Sequence, residues 1–249
     1  MCLLLIAYRQ FDDVPVVLAS NREEYFGRGS LPPQIHEGSA RMVCGLDRTA
    51  GGTWLGVNSH GLLVAVTNRP YMPMRQPRSR GLLCRELLEC HSTSEAIEQA
   101  AAEMRQGVYA GVNVALLDPQ RAAVVQNHPE LLTRELNPGL HTLSAGDLDD
   151  PGDPRQSLAR ALVAQADPDS ADAFIRAAQD ILARGPREGI GPSIVLRGEE
   201  RGTVSSTIVA LPRDRQRACY LYAADAPDRA AYDDYSELLR SVLASAVPE

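Results

Sequence analysis

The sequence predicts an α+β protein in which helices pack against the outer faces of antiparallel sheets. Strand-like apolar segments come first, a helix pair follows, and the same order repeats before a final hairpin and helix. Segregated elements of this kind favour antiparallel sheets, whereas strict alternation would favour a parallel sheet. The segment GGTWLG lacks GxGxxG spacing and does not join a strand to a helix, which argues against a dinucleotide-binding fold. The length of 249 residues suits one domain over 1–249.

Five strands are predicted before residue 70. Residues 2–8 and 14–20 are apolar and β-branched, and the short RQFDD between them predicts a hairpin buried on both faces. Three further strands follow at 40–47, 52–58 and 61–68, and the last two are joined by a tight turn ahead of Gly61.

The remaining elements follow from apolar periodicity and from capping residues. The segment 70–80 holds three prolines and three arginines, so it predicts an exposed loop able to cover a site. Helical spacing predicts helices with Ser92 to Ser94 and Ser170 as caps, and Gly107 as an end. The helices are predicted at 81–91, 95–107, 157–166, 170–185 and 228–245, and the strands at 109–118, 122–127, 131–136, 139–145, 206–212 and 218–225.

Composition excludes several classes of function. The formal charge is −7, which gives no general attraction to nucleic acid. No lysine is present, so a lysine Schiff base and a Walker-type phosphate loop are excluded. Five scattered cysteines without CxxC spacing predict neither a zinc site nor a disulfide framework, and the apolar run CLLLIA is too short for a signal peptide or a membrane span. We therefore expect a cytoplasmic protein with no metal and no membrane span, and the oligomeric state stays open.

Cys2 has two interpretations. Free cysteine is often buried, and apolar residues follow it, so it is a candidate core residue. Loss of Met1 would instead give it a free α-amino group, which can remove the thiol proton directly or through water. One residue would then supply both nucleophile and base.

Two polar clusters at strand ends are further candidates. In ASNREEYFGR, alternation places Arg22 on the face of Leu18 and Ser20, and it places Asn21 and Glu23 on the other face. Beside Cys2, Arg22 would lower the pKa of the thiol. A solvated turn is the alternative.

Asn68 closes an apolar strand just before a proline, next to Thr67. Its amide can donate to a developing oxyanion. Its alternative role is that of a turn former.

These motifs together resemble the NRDE family, also called the transport and Golgi organisation protein 2 family. They are the initial Met-Cys, NREE, GGTWLGVN with GLLVAVTNRP, and the later GLHTLSAGDLDDPGDPR and GTVSSTIVAL. That family is similar to N-terminal-nucleophile (Ntn) hydrolases of the choloylglycine hydrolase and penicillin V acylase type. The resemblance implies a four-layer αββα fold.

The resemblance also implies a catalytic set and a substrate site. Cys2 aligns with the nucleophile, Arg22 with the neighbouring arginine, Asn68 with an oxyanion or positioning asparagine, and Glu24 or Glu23 with the acidic partner. Substrate contacts are expected at positions within the same motifs, namely Asn21, Glu23, Trp54, Thr67 and Arg69.

Three departures from the family pattern bear on activity. Ala145 replaces an asparagine, Val204 replaces an arginine, and 153–155 reads DPR where the family has WPK. Losing one oxyanion donor costs about 10²–10³ in rate.

Three functions are therefore weighed, and the third, a purely structural scaffold, is neither supported nor excluded by the sequence. The first is a cysteine amidohydrolase that acts on a linear amide C–N bond of a small-molecule substrate, without a cofactor. Its loop arginines suit a substrate carboxylate. The second is a non-catalytic carrier of haem or a lipid-like ligand on the same fold, with His36, His60, His91, His128 and His141 or a cysteine as candidate iron ligands. None of the histidines has motif spacing.

Overall fold

The computed structural model describes residues 2–73, 76–185 and 192–245 of the chain. Its strands are β1 (Leu3–Tyr8), β2 (Val16–Tyr25), β3 (Ser30–His36), β4 (Met42–Asp47), β5 (Leu55–Asn58), β6 (Leu63–Asn68), β7 (Val112–Leu117), β8 (Ala122–Gln126), β9 (Leu132–Glu135), β10 (Gly139–Leu143), β11 (Arg201–Leu211), β12 (Cys219–Ala223) and β13 (Asp233–Asp234). Its helices are α1 (Arg80–Leu87), α2 (Thr93–Arg105), α3 (Pro154–Ala166), α4 (Ala171–Leu182) and α5 (Ser236–Ala244).

The strands form two antiparallel sheets that pack face to face. One sheet has the order β10-β1-β2-β11-β12-β13, and the other has the order β3-β4-β5-β6-β7-β8-β9. Helices α3 and α4 cover the first sheet, α1 and α2 cover the second, and α5 contacts strands of both. The predicted α+β class and the four-layer αββα arrangement are confirmed.

Strand β1 lies at the centre of this packing because both of its faces are apolar. Leu3 and Leu5 belong to the core beneath α3 and α4, together with Phe174. Leu4 and Ile6 belong to the core that lies between the sheets. The hairpin with β2 is buried on both faces, as predicted.

The predicted boundaries were wrong where polar residues continue a strand. Strand β2 runs through the NREE cluster to Tyr25, because β11 pairs with it along that whole length. Strand β3 was missed, since Pro32 and Pro33 suggest a loop. It lies at the edge of its sheet, where a residue without an N–H is tolerated.

Capping explains the helix ends. Ser92 accepts from the Glu95 N–H and Ser170 from the Ala173 N–H, as predicted, and Gly107 follows α2 with a φ of +69°. Helix α3 begins earlier than predicted, because Asp153 caps it and Pro154 suits its first turn. The last helix is shorter than the predicted 228–245, because the short strand β13 precedes it.

Among the described residues, no helix is both long and apolar enough to cross a membrane.

One charged contact ties β10 to the turn that follows it. His141 Nδ1 lies 2.6 Å from Asp149 Oδ2, and Nε2 lies 2.8 Å from the carbonyl of Asn137. Burial lowers the pKa of His141, but these contacts and the Asp149 charge outweigh burial, so the pKa is raised. Both nitrogens face acceptors, and the protonated ring satisfies both.

This contact predicts a pH-dependent contribution to stability. A raised folded-state pKa stabilises the fold fully below the unfolded value of about 6.5, and the contribution disappears as pH rises through the folded pKa. We expect His141→Gln to lower the free energy of unfolding by about 1 kcal/mol at pH 5.5 and by less at pH 9, measured by urea denaturation. An equal loss from His141→Gln at both pH values would contradict the prediction.

Candidate active site

The register of the β1–β2 hairpin determines the position of the Cys2 thiol. Leu3 pairs with Asn21 and Leu4 with Ser20, so the next position outward sets Cys2 opposite Arg22. Residues of even number in β1 face the second sheet, and Cys2 therefore points to the same side as Leu4. Cys2 is half-buried at the end of the strand.

Strand β2 separates its polar residues onto two faces, as alternation predicts. Arg22 faces the space between the sheets, with its guanidinium 4.1 Å from the ring centroid of Trp54. On the other face, Asn21 Nδ2 donates to the Leu182 carbonyl at the end of α4, and Glu23 Oε1 lies 2.5 Å from Arg155 Nη2 on α3.

A cavity of about 350 Å³ opens between the sheets at this end of β2. Its wall includes side chains from both sheets and from the loop before α1. Lining residues are Cys2, Arg22, Glu23, Glu24, Arg28, Asp47, Thr53, Trp54, Val66, Asn68, Met72, Gln76, Pro77, Arg78, Ser79, Arg80, Gly81 and Ala110. The predicted loop 70–80 thus contributes to the wall, while Met74 and Arg75 lie outside the described residues.

Trp54 holds Arg22 in place. The indole is 9% exposed, and Arg22 is 5% exposed. A Cβ at Gly45 would lie 2.5 Å from the indole, so glycine is needed for the ring to reach this position. Arg22 also donates to Ser30 Oγ at 3.4 Å and lies 3.9 Å from Glu24 Oε2.

The thiol pKa is raised, which differs from the expected direction. Burial raises the pKa of Cys2 most, and the charge of Glu23 adds to that effect. The Arg22 charge acts in the predicted direction, as does a hydrogen bond from the Glu23 backbone, but both are outweighed. The thiol therefore needs a base that removes its proton.

Glu23 is buried, and its charge acts on this thiol. Burial raises the pKa of its carboxyl, and the charge and hydrogen bond of Arg155 act in the opposite direction. Thr203 Oγ1 donates to the same carboxyl oxygen at 3.3 Å. The Glu23–Arg155 pair joins β2 to the first turn of α3.

Asn68 ends β6 and lines the cavity, but its two neighbours do not. Thr67 Oγ1 donates to the Ser144 carbonyl at 2.6 Å. Arg69 donates to Asn113 Oδ1 and to the Gly146 carbonyl, and it pairs with Asp147 at 2.7 Å. These bonds hold the β6 end against the turn after β10.

Six of the nine residues predicted for the site line the cavity. Asn21, Thr67 and Arg69 do not, since their side chains bond within the protein. Their contact with substrate stays a prediction. Sequence reasoning did not single out Arg28, Asp47 or Arg80 as site residues. Arg28 ends the ASNREEYFGR segment and Arg80 ends the 70–80 loop, and only the fold places them with Asp47 in the wall that contains Cys2.

The residues that depart from the family pattern lie away from the cavity wall. Ala145 lines a separate cavity of about 230 Å³ with Asp153 and Arg155. Val204 lies in a β-bulge between Thr203 and Ser205. Arg155 is the partner of Glu23, so the DPR variant supplies a buried cation at that position.

The histidines considered for iron lie elsewhere. None of them is among the described residues that line the cavity. His60 and His91 have ring centroids 4.6 Å apart, and His128 stacks on Tyr71 at 4.3 Å. Within 2–73, 76–185 and 192–245, no group of three or more His, Cys, Asp or Glu side chains is arranged to hold a metal ion.

The layered fold is that of the N-terminal-nucleophile hydrolases. The chain is similar to an N-acylethanolamine-hydrolyzing acid amidase ortholog of Caenorhabditis elegans, with a TM-score of 0.56 and 13% identity over 85% of this chain and 94% of that chain. It is also similar to two variants of conjugated bile acid hydrolase from Clostridium perfringens, with a TM-score of 0.55 and 13% identity over 94% of this chain and 96% of each.

The chain belongs to the Transport and Golgi organisation 2 family, whose model matches residues 1–220. The mouse homologue is 31% identical over 168 residues, and the human homologue is 30% identical over 165 residues. The matched segment covers 59% of this chain and 59% of each of these relatives. The predicted family is therefore confirmed.

The buried Glu23–Arg155 pair predicts a large loss of stability when one partner is removed. Arg155→Ala leaves a buried carboxyl without its cation, and we expect the free energy of unfolding to fall by about 3 kcal/mol, measured by urea denaturation. Arg155→Lys should lose less, because a cation remains. As a control, Arg217→Ala removes an exposed partner of Asp13 and should cost at most about 1 kcal/mol. Equal losses in Arg155→Ala and Arg217→Ala would contradict this account.

Proposed function

We propose that this protein is a cysteine N-terminal-nucleophile amidohydrolase that cleaves a linear amide C–N bond of a small-molecule substrate. The observation that carries the proposal is the position of Cys2, which lies opposite Arg22 in the wall of a cavity that also contains Asn68. The likeness to Ntn hydrolases supports the fold, and the chemistry rests on these residues.

The first half of the reaction forms a thioester. Once Met1 is removed, the α-amine of Cys2 takes the thiol proton, and the sulfur attacks the amide carbonyl. Asn68 and a backbone N–H donate to the oxyanion of the tetrahedral intermediate. The protonated amine then gives its proton to the leaving nitrogen, and the C–N bond breaks.

The second half restores the enzyme. The α-amine removes a proton from water, and the hydroxide attacks the thioester carbonyl. The C–S bond breaks, the carboxylic acid leaves, and Cys2 regains its proton. Arg22 and Glu24 orient the nucleophile throughout, and the raised thiol pKa makes the amine base necessary.

A cytoplasmic location is part of the proposal. All five cysteines are free, which suits a reducing compartment.

The nucleophile assignment predicts that Cys2→Ser abolishes turnover of an acyl-amide panel. The exchange is small, so the melting temperature should change by no more than about 3 °C. Intact mass should show that Met1 is absent and that a substrate acyl group is carried on the wild-type chain only.

Two results would contradict that assignment. Retention of Met1 would remove the proposed base. Wild-type protein that turns over no amide but gives a saturable Soret shift with haem would favour the carrier hypothesis, which the alanine at 145 and the valine at 204 make the second candidate.

The oxyanion role predicts a selective loss in Asn68→Ala. We expect kcat to fall by about 10²–10³ with a smaller change in KM, since the amide donates most strongly in the transition state. Gln76→Ala alters another polar residue of the cavity wall and should leave kcat unchanged. A similar fall in both variants would show that Asn68 has no special role.

A further inference from the structure

Four arginines line the cavity, and three of them have a carboxylate partner. Arg28 binds Asp47 through two nitrogens, at 3.2 and 2.6 Å. Arg78 pairs with Glu86 and with Glu103, and its Nη1 also donates to the Tyr109 hydroxyl.

The third, Arg22, lies 3.9 Å from Glu24 Oε2, and its guanidinium is covered by Trp54.

Arg80, the first residue of α1, differs from these three. Its Nη1 donates to the Gly111 carbonyl at 3.0 Å. Among the described residues, it forms no ion pair with a carboxylate. Burial lowers the pKa of its guanidinium, and the charges of Cys2 and Glu24 act in the opposite direction. A half-buried cation near the thiol thus lacks a bound counter-charge.

We propose that Arg80 binds the carboxylate of the substrate, so that the enzyme selects amides that carry a single negative charge. This inference rests on the proposed function. A guanidinium has five donors in a planar fork, and one bond to Gly111 leaves donors free for a carboxylate.

The other charges of the wall favour a monoanion. Glu24 and Asp47 line the same cavity, and they would repel a doubly charged phosphate more strongly than a carboxylate. The cavity of about 350 Å³ suits a small molecule whose amide lies at Cys2 and whose carboxylate reaches Arg80.

Alkylation of Cys2 tests the site without requiring turnover. Iodoacetate and iodoacetamide form the same thioether bond with loss of iodide, but only iodoacetate is an anion. Peptide mass spectrometry at low salt gives the ratio of the two rates at Cys2. We expect Arg80→Gln to lower the iodoacetate-to-iodoacetamide ratio by about five-fold or more, and Arg80→Lys to lower it less.

Matched controls separate a local effect from one of net charge. Arg217→Gln removes one charge from an exposed position outside the cavity wall and should leave the ratio unchanged. Cys219 in the same Arg80→Gln sample should keep its own ratio. An unchanged ratio at Cys2 in Arg80→Gln, with Cys2 still reactive, would overturn the carboxylate site and leave the proposed function standing. A thiol inert to both reagents would overturn both.

A substrate pair then tests the selectivity itself. We expect Arg80→Gln to raise KM for N-octanoylglycine by about five-fold or more and to leave KM for N-octanoylglycinamide unchanged. Equal changes for the two amides would overturn the inference, whereas absence of turnover for every acyl amide in the wild type would count against the proposed function instead.

Discussion

The pairing of β1 with β2 fixes the geometry of the whole candidate site. Because side chains alternate along a strand, the register that sets Leu3 against Asn21 also directs Cys2 and Arg22 to the same side of the sheet. A slip of one residue would turn the thiol toward α3 and α4. Burial of β1 on both faces opposes such a slip, since every shifted side chain would meet the wrong core.

The two faces of β2 have different roles at the site. One face presents Arg22 to the cavity, and the other anchors the strand through Glu23 to Arg155 on α3. The buried carboxyl and the burial of the thiol both raise the pKa of Cys2. The wall therefore favours a protonated thiol at rest, and a reaction through sulfur depends on a base positioned beside it.

Much of this arrangement could be predicted from local sequence. The hairpin, the caps at Ser92 and Ser170 and the separation of Arg22 from Glu23 follow from alternation and capping. The features that could not be predicted depend on contacts between segments that are far apart in the sequence. Strand β11 extends β2 through its charged residues, and no local pattern shows that pairing.

The same limit applies to the site. Arg80 was predicted only as one of several arginines in a loop, and its lack of a carboxylate partner depends on how that loop packs. Arg69 is predicted as a substrate contact from the same motif as Asn68, and that contact stays a prediction, while its bonds to Asn113 and Asp147 show that its side chain also supports the end of β6. A residue's position near a site residue in the sequence therefore does not show which way its side chain points.

Trp54 is the single tryptophan of the chain, and it lies in the cavity wall against Arg22. Its fluorescence consequently comes from one place, next to the proposed nucleophile. A ligand that displaces the guanidinium from the indole would change the emission, and so would loss of the packing against Gly45 as the sheet melts. The emission of Trp54 therefore reports whether the cavity is occupied and whether its wall is folded, and no added label is needed.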